Sequence, residues 1–457
     1  MLEQDQGEAV ERPATEWMSG LDALLWRAQQ TPALHAPMTF VFLLDRAPDH
    51  EEFLAEHARF PQLVPRLGQH VLDGPLGLGV PRWAPDPRFD LANHVRRVRL
   101  PDAAGVGGLL ELAQRLAYSP FDRRHPLWEA VLVDRVDERR AGYVIRLHHS
   151  IADGVNVVRL AMLLFGADPG ARRAAGDAMR SGHASFLAEA GGKLAGEVAG
   201  AARHPVRTAL RVGKVTRSLL DLGARLNLPG SPALRHRGGS WRFLTSEVPL
   251  STLREASRRV GATVNDAMVT AVLGAVRRYH EHLGERADRL TVSVLLGGRG
   301  GQSAGSGNNM SLAPIDAPVG ETDPIRRMRL VGDLVNGARG EQSGTSPVGL
   351  VGLTGFLPGA VTAPVLKTLS TRVDVLVSNV RGPAELRLAG CRVEGVFPFG
   401  PTMATAVNVS TTSYLGTCYV GTTVDTAAVR DPDLFATCLR EGFAEVTSDV
   451  GAAPGAG

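Results

Sequence analysis

Seven consecutive residues, His148-His149-Ser150-Ile151-Ala152-Asp153-Gly154, constrain this chain more than any other stretch. Before them, residues 143–147 (Tyr-Val-Ile-Arg-Leu) read as a strand. After them, residues 155–165 read as a helix, with Val158, Leu160, Leu163 and Leu164 apolar. A strand therefore ends at two histidines, and a helix opens after an Asp-Gly turn. Neighbouring strand side chains point to opposite faces, so His148 and His149 do not aim at one atom. One is expected to face a substrate channel and the other the packed side. Asp153 can accept from a ring N–H or pair with a cation, and Gly154 allows a close or left-handed backbone.

A histidine titrates near neutrality, so one held at a strand end can take a proton from an alcohol and give it to a leaving thiol. The plain alternative for a single strand-end histidine is a satisfied core residue. The doubled histidine with its Asp-Gly turn argues for chemistry. A metal site is disfavoured, because adjacent strand side chains diverge and neither a cysteine nor a third histidine lies nearby.

At these residues the chain resembles a known family. HHxxxDG is the signature of the coenzyme A-dependent acyltransferase superfamily, which includes condensation domains and plant-type acyltransferases. Other segments narrow the resemblance to the bacterial wax ester synthase/diacylglycerol acyltransferases. Residues 119–129, Ser-Pro-Phe-Asp-Arg-Arg-His-Pro-Leu-Trp-Glu, resemble that family's PLDRxRPLWE segment. Residues 18–22, Pro37-Met38, Arg82-Trp83, Phe89-Asp90-Leu91 and His94-Val95 follow its order. In the second half, Asn265-Asp266 resembles the "ND" motif, residues 307–309 its GN segment, and residues 378–383 its SNVPGP loop. Asn408-Val409-Ser410, Ser413-Tyr414 and Gly416 resemble its late strand pair. The likeness runs from about residue 16 to about residue 446. The chain departs at His125 (often Arg), Arg381 (often Pro), Gln29 (often Glu) and Phe121 (Leu), and none of these lies within the HHxxxDG residues.

The resemblance implies an α/β fold of two chloramphenicol-acetyltransferase-like lobes with a central tunnel. It implies acyl-coenzyme A as donor substrate, with no metal or other cofactor, and a fatty alcohol or diacylglycerol as acceptor. No cysteine sits in a family-like motif, and direct attack by the acceptor is expected as the simplest route. His149 is expected as general base, with His148, Asp153 and Gly154 holding the loop. Asp153 is expected to pair with Arg123 or Arg299. Asn265 is the candidate oxyanion donor, its alternative being a place at a helix start. Trp128, Asp266, Ser378 and Asn379 are candidates for substrate contact. Core packing is the alternative for Trp128, and helix capping for Asp266.

Length and composition agree. At 457 residues, the chain calls for two domains. The segments read as a frayed 1–16, a first lobe 17–168, a basic linker 169–238, a second lobe 239–448 and a loose tail 449–457. Strands are expected near 38–44, 94–100, 128–134, 143–147, 290–295, 373–378, 392–397, 405–410 and 414–422. Helices are expected near 51–58, 107–117, 154–165, 263–282, 323–336 and 431–446. Three scattered cysteines, Cys391, Cys418 and Cys438, fit a reducing cytosol, and no signal peptide is expected, because no charged run followed by an apolar stretch opens the sequence. Arginine outnumbers lysine 47 to 3, which reads as codon bias rather than nucleic-acid binding, since no basic–aromatic alternation accompanies it.

Residues 171–240 hold twelve Lys or Arg against four Asp or Glu, a net of +8 in a chain of net +3. Val212, Val215, Leu219, Leu222 and Leu226 form a helical stripe there, with Arg203, Arg207, Arg211, Lys214, Arg217 and Arg225 mostly off it. Such a helix can rest on an anionic membrane or lipid-droplet surface, or simply pack as a linker with solvated arginines. Residues 342–366 carry no charge but hold three prolines and five glycines, which reads as broken helices rather than a span. Three readings stay open: the long-chain O-acyltransferase, an acyltransferase of specialised metabolism, and a non-catalytic lipid-associated protein.

Overall fold

A computed structural model describes residues 16–31, 34–74, 80–101, 104–152, 154–179, 230–238, 240–296, 311–341, 363–364, 366–367 and 370–448. In the first half the elements are β1 (Glu16–Trp17), α1 (Gly20–Ala28), β2 (Pro37–Leu44), α2 (His50–Ala58), α3 (Phe60–Leu63), β3 (Gln69–Leu72), β4 (Arg82–Pro85), β5 (Val95–Val98), α4 (Gly105–Tyr118), β6 (Trp128–Val133), β7 (Ala141–His148) and α5 (Gly154–Phe165). In the second half they are β8 (Trp241–Pro249), α6 (Leu250–Arg259), α7 (Val264–His282), β9 (Leu290–Leu296), β10 (Ser311–Ala317), α8 (Pro324–Glu341), β11 (Val375–Val380), β12 (Arg387–Leu388), β13 (Cys391–Phe399), β14 (Val407–Tyr414), β15 (Thr417–Asp425) and α9 (Pro432–Ser448).

Two mixed six-stranded sheets carry the fold. The first runs β12-β13-β2-β7-β6-β5 and the second β10-β9-β11-β14-β15-β8. A small antiparallel sheet, β1-β4-β3, stands apart. The first sheet is centred on β2 and β7, nearly continuous apolar runs, as a sheet covered on both faces requires. Every residue of β7 is buried. In the second lobe α7 is buried along most of its length, including Ala267 to Val276, and α9 packs against it. A helix apolar on most sides belongs inside a core. Its start is fixed by a capping box: Asp266 N–H donates to Thr263 Oγ1 at 3.2 Å, and Thr263 N–H donates to Asp266 Oδ2 at 2.9 Å.

Most expected elements lie where the periodicity put them, but one joins the other lobe. The strand foreseen near residues 392–397 was assigned to the second lobe. It is β13, and it lies in the first lobe's sheet, antiparallel to β2 with Phe397 opposite Val41. There it covers an edge of β2 that would otherwise be open for pairing. The chain returns to the second sheet at β14, so the sequence-drawn division at 238/239 does not separate the two cores. Leu386, Val393, Phe397 and Phe399 belong to the first lobe's hydrophobic cluster, together with Trp241 and Phe243 of β8. Phe243 stacks on Phe399 with centroids 4.0 Å apart. Gly421 of β15 meets β13 so closely that a Cβ there would sit 1.8 Å from the Pro398 carbonyl oxygen. The sequence reading also missed β8, β10, α1 and the β3–β4 hairpin.

Of the expected linker, residues 169–179 are helical, while 180–229 lie outside the described residues, as do the first 15 residues and 449–457. Most of 342–366 also lies outside them. No described helix is long and apolar enough to cross a membrane.

Candidate active site

Strand alternation decides the histidine question. From β7, Ile145, Leu147 and His149 line one cavity, while Arg146 and His148 point to the opposite face. The same period of two places Met38, Phe40 and Phe42 of β2 on that cavity, facing Leu376, Ser378 and Val380 of β11 and Asn408, Ser410 and Thr412 of β14. The cavity thus lies between the two sheets, roofed by α5 through Val157, Ala161 and Leu164. Its volume is about 450 Å³. His149 is the one ionisable side chain among the described residues that line it. It is partly exposed, and its backbone is fixed: His149 N–H donates to Ala36 O at 3.0 Å, and His148 N–H to Leu127 O at 2.9 Å.

His148 is the packed partner that the alternation requires. Its side chain is fully buried, edge-on to Trp26 and Phe121. Ser150 N–H donates to its Nδ1 at 3.2 Å, and Ser150 Oγ lies 2.7 Å from the same atom. With Nδ1 accepting, the proton sits on Nε2. Burial, followed by the nearby His149, His35 and Arg123, pushes its pKa down to about 3, so the ring stays neutral at physiological pH.

Arg146 holds the neighbouring segment. Its guanidinium donates to Leu116 O and Ser119 O, pairs with Glu129 at 2.7 Å and lies over the Phe121 ring at 4.3 Å. Arg123 pairs with Asp73 at 2.7 Å and stacks over Trp26 at 4.0 Å. Asp73 also accepts from Trp26 Nε1 at 2.8 Å. Arg123 is therefore committed to Asp73. Its expected partner Asp153 lies outside the described residues, as does Arg299. Gly154 is the first residue of α5.

The other sequence candidates separate clearly. Ser378 lines the cavity and donates to Ser410 Oγ at 3.2 Å, Ser410 donates to Asn408 Oδ1 at 3.0 Å, and Asn408 Nδ2 donates to Pro401 O at 2.6 Å. This chain forms a polar strip on an apolar wall. Asn379 is turned to Thr411, whose Oγ1 donates to its Oδ1 at 3.1 Å, and is not on the cavity lining. Trp128 is corrected outright: it is fully buried, stacks on His94 at 4.7 Å and donates from Nε1 to Leu67 O at 2.8 Å. It lies opposite Leu147 of β7, on the same sheet face as the cavity but off its lining, and fills the core there. Asp266 is likewise off the cavity lining, and it forms the capping box of α7, the alternative given for it above. Asn265, beside it, has a buried Nδ2 with no acceptor among the described residues, and it is not on the cavity lining. All three cysteines are buried, and burial pushes the Cys418 and Cys438 thiols up to about 11. None lines the cavity.

With this geometry in place, comparison with known proteins settles the family. Residues 18–268 match the wax ester synthase/diacylglycerol acyltransferase catalytic domain, and residues 306–447 match the corresponding C-terminal domain. The chain belongs to the wax ester synthase/diacylglycerol acyltransferase family. A Mycobacterium tuberculosis protein described as a diacylglycerol O-acyltransferase is 31% identical, covering 97% of this chain and 94% of its own. Another from that organism, similarly described, is 27% identical over 88% of this chain and 89% of its own. Among solved structures, the wax ester synthase/diacylglycerol acyltransferase from Marinobacter aquaeolei VT8 has a TM-score of 0.64 at 19% identity, covering 95% of this chain and 100% of that one. The first condensation domain of the calcium-dependent antibiotic synthetase has a TM-score of 0.61 at 17% identity, with 98% of each chain covered. Both share the two-lobed α/β fold. As a wax ester synthase/diacylglycerol acyltransferase family member, the chain is an acyl-coenzyme A-dependent O-acyltransferase.

Three residues important to the site escaped the sequence reading. Arg146 carried a signal, because a lone charge inside an apolar buried strand needs partners. Asn408 and Ser410 were noted only as a strand motif. Their alternation with Val407 and Val409 marks a polar strip on one face.

Proposed function

We propose that the chain transfers a long-chain acyl group from acyl-coenzyme A to a fatty alcohol or diacylglycerol, with His149 as general base. The observation that carries the reading is that His149 is the one ionisable side chain among the described residues lining a cavity otherwise walled by apolar, hydroxyl and amide groups. A volume of about 450 Å³ falls within the roughly 300–1,000 Å³ of small-molecule sites. The acceptor hydroxyl gives its proton to His149 as its oxygen attacks the thioester carbon. The carbon–sulfur bond then breaks, and the imidazolium returns the proton to the coenzyme A sulfur. Neutral His148 supports this division of labour: it packs beneath the loop and leaves one base on the cavity. Asn265, at the start of α7 and off the described cavity lining, keeps its place as the candidate donor toward the developing oxyanion because its buried Nδ2 has no acceptor among the described residues. Asp153 and Gly154 would hold the loop that presents His149.

The basic segment within residues 171–240 supports a peripheral position on a cytoplasmic membrane face or lipid droplet. Reversing Arg207, Arg211, Lys214 and Arg217 to Glu should abolish sedimentation with anionic vesicles, and unchanged sedimentation would refute that role.

The enzymatic reading is tested by incubating the purified protein with palmitoyl-coenzyme A and hexadecanol, dipalmitoylglycerol or no acceptor. Free thiol is followed and the lipids are extracted. Thiol and ester that both require an acceptor are expected. A thiol burst without acceptor would point to an acyl-enzyme and overturn direct attack. No turnover with either lipid would shift the acceptor toward a smaller alcohol, an amine or a carrier-bound group.

A further inference from the structure

Between β13 and β14 the cavity wall contains a turn built from the wrong residues. Thr405 N–H donates to Thr402 O at 2.8 Å, closing a four-residue turn. Its two central residues, Met403 and Ala404, both have positive φ, 50° and 65°. That pattern is the type I′ turn, whose central positions favour Asn and Gly because an ordinary Cβ crowds the backbone there. Neither residue here has that freedom, so the surroundings must hold the turn.

The holding groups are identifiable. Ala404 is 1% exposed and packs with Ala28 and Leu34 of the first lobe. The Asp374 carbonyl accepts from Ala406 N–H at 3.0 Å and Val407 N–H at 3.2 Å. Arg237 donates from Nε to Ala404 O at 3.2 Å and from Nη2 to Asp374 Oδ1 at 3.0 Å. The side chains of this ion pair are only 5% and 4% exposed. Asp374 Oδ2 accepts from Ser231 N–H at 3.0 Å. Arg237 and Ser231 both lie in the segment that leads into the second lobe, before β8. Met403 and Thr405 line the cavity.

We propose that the Arg237–Asp374 pair is a specificity-determining clamp: it holds the Met403–Ala404 turn in its left-handed form and so fixes Met403 in the cavity wall, setting which chain length is accepted. Both residues are positioning residues, acting through Met403. The inference rests on the reading that this cavity receives the acyl or acceptor chain.

The test is a mutant cycle in the full-length protein, read as the ratio of kcat/KM for palmitoyl-coenzyme A over lauroyl-coenzyme A with hexadecanol. Met403→Ala should shift the ratio at least fivefold toward the longer chain. Arg237→Lys keeps a charge beside Asp374 but loses the fork that also reaches Ala404 O, and it should shift the ratio in the same direction. Arg237→Met with Asp374→Asn should do so more strongly. Adding Met403→Ala to either clamp variant should produce no further shift. Adding Ala404→Gly should restore the wild-type ratio, because glycine holds the turn without the clamp.

If the neutralised pair fails to melt cooperatively, Arg237→Lys carries the test. A shift with Met403→Ala but none with Arg237→Lys would overturn the clamp and leave the cavity reading intact. Additive shifts, or no rescue by Ala404→Gly, would also overturn it. An unchanged ratio in Met403→Ala would sink the clamp and the chain-binding cavity together.

Discussion

At the scale of the residue, two adjacent histidines take opposite places, one on the cavity and one packed, because strand alternation turns their side chains to opposite faces. His148→Ala should therefore act on stability. It deletes a buried ring packed against Trp26 and Phe121, for a loss of about 3 kcal/mol by urea denaturation. An acid limb is a second expectation. Burial pushes His57 down to about 4 and His148 to about 3, both from an ordinary 6.5. Neutral rings thus stabilise the fold fully above about pH 6.5. As pH falls from there toward 4 and then 3, the unfolded chain binds protons that the folded chain resists, and stability is lost across that window. His57→Gln should flatten the melting temperature against pH between 6.5 and 4, and an undiminished slope would exclude His57. At this scale the sequence was highly legible. The pair and the strand alternation are local, and they point one ring to the packed side and His149 to the cavity, where it lies. Trp128 was not legible, because how far along a sheet face a cavity reaches depends on the elements packed over that face.

At the scale of the element, the expected strands and helices form where periodicity and caps put them, and the exceptions have physical causes. An apolar strand such as β13 can pair with any open edge, and its choice of β2 rests on contacts hundreds of residues away. β8 was missed because Arg242, Thr245 and Glu247 dilute its apolar character. The close approach of β13 and β15 makes Gly421→Ala severe, since its Cβ would collide with rigid backbone. A loss of about 3 kcal/mol is expected in chemical denaturation. On the far side of the second lobe, Glu445 of α9 binds Arg327 at 2.6 Å, Arg278 at 3.0 Å and Arg277 at 3.5 Å. Arg327 is fully buried. Glu445→Gln leaves these cations short of a counter-charge. It should destabilise by about 3 kcal/mol, more than truncating any exposed pair, as a double-mutant comparison with Arg96→Ala would reveal.

At the scale of the whole molecule, the cavity exists only because the lobes interlock. Its walls come from α1, β2, β7 and α5 on one side and β9, β11 and β14 on the other, with β13 spanning both. Filling it should therefore shorten the accepted chain without unfolding either lobe. Ala161→Phe is expected to lower palmitoyl turnover at least tenfold relative to lauroyl, and equal losses for both would contradict a chain-length site. The central claim is that one imidazole on this cavity performs the proton transfers. It is tested most directly by comparing His149→Ala with the parent protein for acceptor-dependent thiol release from palmitoyl-coenzyme A. The account predicts a loss of about 10²–10⁴-fold in turnover with stability within about 0.5 kcal/mol of the parent. Turnover within a few-fold of the parent, in a variant that melts normally, would contradict it.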